Sequence, residues 1–377
     1  MKAKTRSTLT AIGVFLLAKF KWVIALLKWS KFGGTLFSMA ASLSAYAIFF
    51  GWKFAIAIIY LIFVHEMGHL VAARRKGIAT SPAMFIPFVG AVISMKERPR
   101  DAATEAYLAY GGPLAGLLSF LPAVLLYQAD PIPFWALVIY LGATINLFNL
   151  LPVSPLDGGR IVSVLSTKIW LVGLAVLIAL VVAFPDSPMM YVIALIGVFS
   201  WWNRAREGYR SEVLGYEKEK LERLAAMLRE WPKLTSTLPL KLALTAEAEE
   251  AMKHRGEIRK WSIPFLHDKQ KFAREKAEID LKVVARTREL LLEWEHQPVL
   301  YEDGDPDRPV ASELLVHAIR EAEADIAVIQ EEQTRYRTYY KSSAAVKWKV
   351  LIAYLLLAGV LSGFMLYGYR LMELYTL

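Results

Sequence analysis

The chain has 377 residues, is 56% hydrophobic, contains no cysteine and carries a formal net charge of +9. Without thiols it can form neither disulfides nor thiolate metal sites, and its long apolar runs exclude an ordinary soluble globule. Residues 1–202 hold 16 Lys/Arg against 7 Asp/Glu, while 203–349 hold 27 of each. The basic balance therefore reports membrane topology and gives nucleic-acid binding no support.

Residues 1–32 form a basic segment. Its apolar stretch 8–30 is interrupted by Lys19, Lys21 and Lys28, which points to an interfacial helix, with a short span as the alternative. No small-residue cleavage site follows it, so no removable signal peptide is expected. Apolar runs then predict spans at 33–50, 54–73, 103–127, 134–152, 168–184 and 189–202, with a last one at 346–368.

The run 54–73 contains His65-Glu66-Met67-Gly68-His69. A charged group near the bilayer centre costs roughly 2.5–3.5 kcal/mol, so a carboxylate there needs a compensating partner. On a helix, residues i and i+4 lie about 40° apart and about 6 Å along the axis. His65 and His69 can therefore close on one zinc ion through neutral imidazole nitrogens. Glu66 is offset by about 100°, near enough to hold a metal-bound water as a general base. A chance match in an apolar helix is the competing reading.

With a cytosolic N-terminus, nearly all basic residues of the first spans fall on the inner side, including the cluster Arg74-Arg75-Lys76, whereas Lys53 stands alone outside. That asymmetry places the C-terminal end of the metal helix and residues 203–345 in the cytosol. Residues 84–95 are rich in β-formers and contain Pro87 and Gly90. They predict either an edge strand able to pair with an extended peptide or a plain reentrant loop. Gly111, Gly112 and Gly116 predict close helix packing.

A zinc hydrolase site takes three protein ligands and leaves a position for water. After Asn146 and Asn149, Pro152 and Pro155 break the span and bring Asp157-Gly158-Gly159 close to it. Asp157 is the candidate third ligand; a helix cap at Gly158 is the alternative, and both roles can coexist. Residues 203–345 are charge-rich, with helices predicted at 212–230, 241–259, 268–296 and 311–340, the last continuing into the final span. His254, His267, His296 and His317 lack ligand spacing and read as surface residues.

Two signatures together, the His65–His69 pentapeptide and Asn149-x-x-Pro152-x-x-x-Leu156-Asp157-Gly158, resemble those of the site-2 protease family of intramembrane zinc metalloproteases. The resemblance spans about 33–202 and includes a hairpin-like Phe85–Ala91 stretch and the small-residue run Gly111–Gly116. It implies an all-α polytopic fold: a six-span metalloprotease core at 33–202 with a small membrane-associated β-hairpin. A helical cytosolic region at 203–345 and a C-terminal transmembrane helix at 346–377 would complete the chain. It further implies Zn2+ on His65, His69 and Asp157, water activation by Glu66, and substrate or oxyanion contacts from Asn149, with Asn146 and Pro152 beside it.

Asn146 would share that role or bridge helices. The expected partners are the lipid bilayer and a membrane-anchored protein or peptide substrate, with residues 203–345 offering a surface to a regulatory partner or a second copy. Two other functions stay open: a non-enzymatic membrane scaffold with a structural metal, and a multi-span zinc protease of the prenyl-protein-processing type.

Overall fold

A computed structural model describes residues 33–185, 188–230, 238–258, 261–296, 300–302 and 309–375. The expectation for 8–30 lies outside these residues. The described chain divides into two compact units, one of 1–202 with 340–377 and one of 203–339.

In the first unit, α1 (Gly33–Phe50) leads into α2 (Trp52–Arg75), which ends on Arg74 and Arg75. A short hairpin follows, β1 (Met84–Ile86) against β2 (Gly90–Val92), antiparallel with Phe85 opposite Ala91. Its turn needs left-handed backbone at Phe88 (φ 62°), and Gly90 takes φ 125°. The β1 side is tied to α1: Phe85 N–H donates to Ser38 Oγ (3.0 Å), and Thr35 Oγ1 donates to the Ala83 carbonyl (2.6 Å). Because the sheet has two strands only, the far edge of β2 has no strand partner among the described residues.

Next come α3 (Ala102–Ala129) and α4 (Pro133–Asn149). Asp101 caps α3 by accepting Thr104 N–H at 2.7 Å. α3 packs closely on α2 where Gly68 and Gly111 meet backbone to backbone; a Cβ on either would collide with the backbone of the other helix. α4 stops at Asn149, three residues short of the expected span end. Pro152 and Pro155 remove backbone donors, and the chain turns before the short α5 (Asp157–Val162). Then follow α6 (Ile169–Ala183), α7 (Pro188–Ala205) and, after the second unit, α12 (Ala344–Glu373).

Among the described residues, α1, α2, α3 and α12 are long and apolar enough to cross a bilayer. α4 and α6, with 17 and 15 residues, are apolar but shorter, about 25 and 22 Å. The core of this unit gathers Leu61, Phe120, Ile139 and Leu150 with Leu357 and Leu361 of α12. The fold is an all-α membrane protein with one small hairpin.

The second unit is built from α8 (Glu207–Arg229), α9 (Leu238–Glu257), α10 (Asp268–His296) and α11 (Glu313–Thr338), with a two-residue pairing of β3 (Leu300–Tyr301) and β4 (Pro309–Val310). Leu224 and Leu228 pack on Leu315 and Ala318, and Leu244 and Ala248 on Val284 and Leu291. Polar seams complement these cores: Tyr209 donates to Glu275 (2.7 Å), and Lys220 pairs with Asp280 (2.8 Å) and Glu247 (2.7 Å). α11 does not run into the last span as the sequence suggested. It stops at Thr338, and Ser343 caps a new helix by accepting Val346 N–H.

Candidate metal centre

His65 and His69 face α3 and α4 from one side of α2, as the i, i+4 spacing requires. Asp157 reaches them from the first residue of α5 and is buried with His65. Nε2 of His65 and Nε2 of His69 lie 3.1 Å apart, and each is 3.2 Å from Asp157 Oδ2. Donors around a tetrahedral zinc ion with bonds of about 2.0–2.1 Å sit about 3.3 Å apart, so the triangle has the size that ion needs.

The protonation pattern agrees with that use. Asn146 is fully buried, and its Nδ2 donates to the Gly142 carbonyl (2.7 Å), which turns Oδ1 toward His65 Nδ1 (2.8 Å). An acceptor at that point requires His65 Nδ1 to carry the proton. His69 Nδ1 likewise donates to the Leu108 carbonyl (2.9 Å). Both Nε2 atoms are thereby left with lone pairs directed at a carboxylate oxygen. Three lone pairs converging this closely repel one another unless a cation lies among them. The other carboxylate oxygen, Asp157 Oδ1, is 3.9 Å from Arg160 Nη1, and Arg160 Nε donates to Glu105 (3.2 Å).

Space for this arrangement depends on glycine. A Cβ on Gly112 would strike the rings of His69 and His65, and one on Gly116 would strike the Asn146 amide. Gly158 and Gly159 allow α5 to sit against the backbone of Leu150 and Val153, and Trp170 Nε1 donates to the Gly159 carbonyl (2.8 Å). The sequence reading treated Gly111, Gly112 and Gly116 as packing residues. That holds for Gly111, but Gly112 and Gly116 also make room for the rings of His65 and His69 and for the Asn146 amide, which no local pattern announces.

A cavity of about 570 Å³ opens beside the triad. His65 and Glu66 line it from α2, Thr144, Phe148 and Asn149 from α4, and Phe88–Ala91 from the hairpin. Asn149 gives one amide proton to its own helix at the Ile145 carbonyl (3.1 Å). The other two residues expected on the substrate side lie elsewhere. Asn146 spends both ends of its amide holding His65 to α4, the bridging alternative. Pro152 turns its carbonyl against Gly173 of α6 and does not line the cavity. Two positioning contacts had no signal in the sequence: Tyr354 Oη donates to the Leu150 carbonyl (2.6 Å), and Arg160 links Glu105 to the Asp157 side of the site.

Residues 53–129 and 123–180 match the model of peptidase family M50. The zinc metalloprotease MJ0392 of Methanocaldococcus jannaschii is 26% identical over 127 residues, covering 32% of this chain and 36% of that protein. Rip3 of Mycobacterium tuberculosis, which also carries a zinc metalloprotease name, is 33% identical over 116 residues, 29% of each chain. The matched part thus spans about a third of the length of these curated relatives. The solved site-2 protease from Methanocaldococcus jannaschii aligns with 44% of this chain and 83% of its own, at 20% identity and a TM-score of 0.32. Residues 53–180, which contain His65, His69 and Asp157, thus match the peptidase family M50 model and are similar over that segment to curated zinc metalloproteases.

Proposed function

We propose that the protein is a zinc-dependent intramembrane endopeptidase that hydrolyses a peptide bond within or beside the transmembrane segment of a membrane-anchored substrate. One observation carries this reading: His65, His69 and Asp157 converge on a cavity that also exposes Glu66 and Asn149. Zinc held there supplies a Lewis acid and lowers the pKa of a bound water to about 7. Glu66 takes the proton of the attacking water and passes it to the leaving amine. The second amide proton of Asn149 supports the substrate carbonyl as it gains negative charge, without burying a further charge.

A membrane-spanning helix hides its carbonyls in its own hydrogen bonds, so the substrate must be extended to be cut. The unpaired edge of β2, whose Gly90 and Ala91 line the cavity, supports capture of such a segment by strand addition. His69 lies six residues before Arg75 on α2, about 9 Å along the helix axis. Together with the basic cluster at 74–76, this favours cleavage toward the cytosolic side, with 203–339 in the cytosol as a docking or gating region.

The test uses the full chain in lipid with a model single-span substrate. Glu66→Gln is expected to retain stoichiometric zinc and lose cleavage, while Asp157→Ala loses both. Cleavage that persists in Glu66→Gln overturns the role given to Glu66, and an unsubstituted chain that holds zinc but cleaves no single-span substrate returns the protein to the scaffold reading.

A further inference from the structure

α5, which supplies one of the three candidate ligands, has only six residues, far below the length at which a helix persists unaided. The direction of the Asp157 carboxylate is therefore set by what α5 packs against. On one side Gly158 and Gly159 rest on the backbone of Leu150 and Val153. On another stand two charged side chains, Arg160 and Glu105, whose part in the site the peptidase reading leaves open.

Arg160 lies three residues beyond Asp157, on the same face of α5. Its Nη1 is 3.9 Å from Asp157 Oδ1, an ion-pair distance, while Oδ2 is the oxygen that meets both histidines at 3.2 Å. Its Nε donates to Glu105 Oε1 at 3.2 Å. A guanidinium can serve two carboxylates at once because its donors are fixed in one plane. The Arg160 and Glu105 side chains are 24% and 23% exposed, which limits the screening that makes surface pairs weak. Glu105 also lies in the first turn of α3, where the helix dipole favours negative charge.

Glu105, Leu108 and Gly112 follow one another at spacings of three and four and so share one face of α3. That face meets the site three times. The Leu108 carbonyl accepts from His69 Nδ1 (2.9 Å), Gly112 leaves room for both imidazoles, and Glu105 holds Arg160.

We propose that Arg160 and Glu105 are positioning residues that keep Asp157 a one-oxygen ligand. Arg160 draws Oδ1 to itself and leaves Oδ2 to the ion, and Glu105 fixes the plane of the guanidinium that does so. A hydrolytic zinc site keeps one coordination position for water, and a carboxylate bound through both oxygens would occupy it. One face of α3 thus orients two ligands from outside, His69 through Leu108 and Asp157 through Arg160. This assignment rests on the zinc reading of His65, His69 and Asp157 and on no property of the substrate.

Cobalt(II) in place of zinc reports the coordination number, because four-coordinate cobalt absorbs visible light several-fold more strongly than five-coordinate cobalt. The full chain in lipid is loaded with cobalt, and zinc binding is measured separately by chelator competition. The unsubstituted chain is expected to show the strong four-coordinate bands. In Arg160→Met they should weaken as Asp157 Oδ1 joins the ion. Glu105→Gln, which keeps Arg160 and guards against misfolding of the first variant, should weaken them in the same direction. The double variant should match Arg160→Met, because Glu105 acts through Arg160. Unchanged bands in a fully loaded Arg160→Met, or a further loss in the double variant, overturns the proposal and leaves the zinc reading standing. Loss of cobalt from both single variants also overturns it, by making the pair a general brace of the fold. An unsubstituted chain that binds neither ion stoichiometrically overturns the zinc reading and the proposal together.

Discussion

Tyr354 donates a 2.6 Å hydrogen bond to the carbonyl of Leu150, the residue that caps α4 and opens the loop leading to Asp157. Tyr354 lies on α12, 174 positions beyond the end of the matched peptidase segment at residue 180. That helix packs on α4, with Gly368 against Tyr140, and on α3, with Phe364 5.3 Å from Phe120. The C-terminal helix is therefore part of the core that carries the candidate metal ligands. Removing the phenol leaves a buried carbonyl without its donor, at about 1–3 kcal/mol. Tyr354→Phe is expected to weaken zinc binding several-fold by chelator competition, while Tyr367→Phe at an exposed position leaves it unchanged.

Gly112 is the second position where a single atom decides the site. In Gly112→Ala the new methyl meets the Nε2 edges of both histidine rings. The variant is expected to insert and fold but to hold substoichiometric zinc by elemental analysis. Gly363→Ala on α12, where nothing lies within 4 Å of the added carbon, is the control and should bind normally.

Asn146 acts through His65. Without its Oδ1, the His65 ring loses the acceptor that keeps the proton on Nδ1 and Nε2 free. Outer partners of metal-bound histidines typically contribute 10–100-fold in metal affinity. Asn146→Ala should show a loss of that order in zinc affinity, and turnover should recover at raised zinc concentration.

Asn149 should behave in the opposite way. It lines the cavity, and its amide donates to the Ile145 carbonyl of its own helix. Asn149→Ala is expected to keep full zinc occupancy and to lower kcat by about 10²–10³, the usual cost of removing one oxyanion donor. Zinc loss in this variant would show that its part is structural.

Among these residues, those governed by local rules were legible in the chain itself. The i, i+4 histidines in an apolar run, the carboxylate between them and a proline-broken span ending in Asp157 follow from helix periodicity and from the cost of charge in hydrocarbon. So do the apolar helices and the helical character of the charge-rich region, whereas local pattern left residues 84–95 open between an edge strand and a reentrant loop.

Tertiary structure decided everything that depends on distance across the sequence: that Asp157 Oδ2 meets both imidazoles at 3.2 Å, that Asn146 faces inward to a histidine while Asn149 faces the cavity, and that Tyr354 pins the ligand loop. It also ended α4 at Asn149 and broke the chain at Thr338, where capping and packing outweigh the apolar and helix-forming patterns. Neighbours along the chain specify which face a side chain occupies on its own helix; what it meets there depends on how closely two helices approach. In this protein glycines at 68, 111, 112 and 116 set that approach, by an absence of atoms whose consequence exists only once the helices have packed.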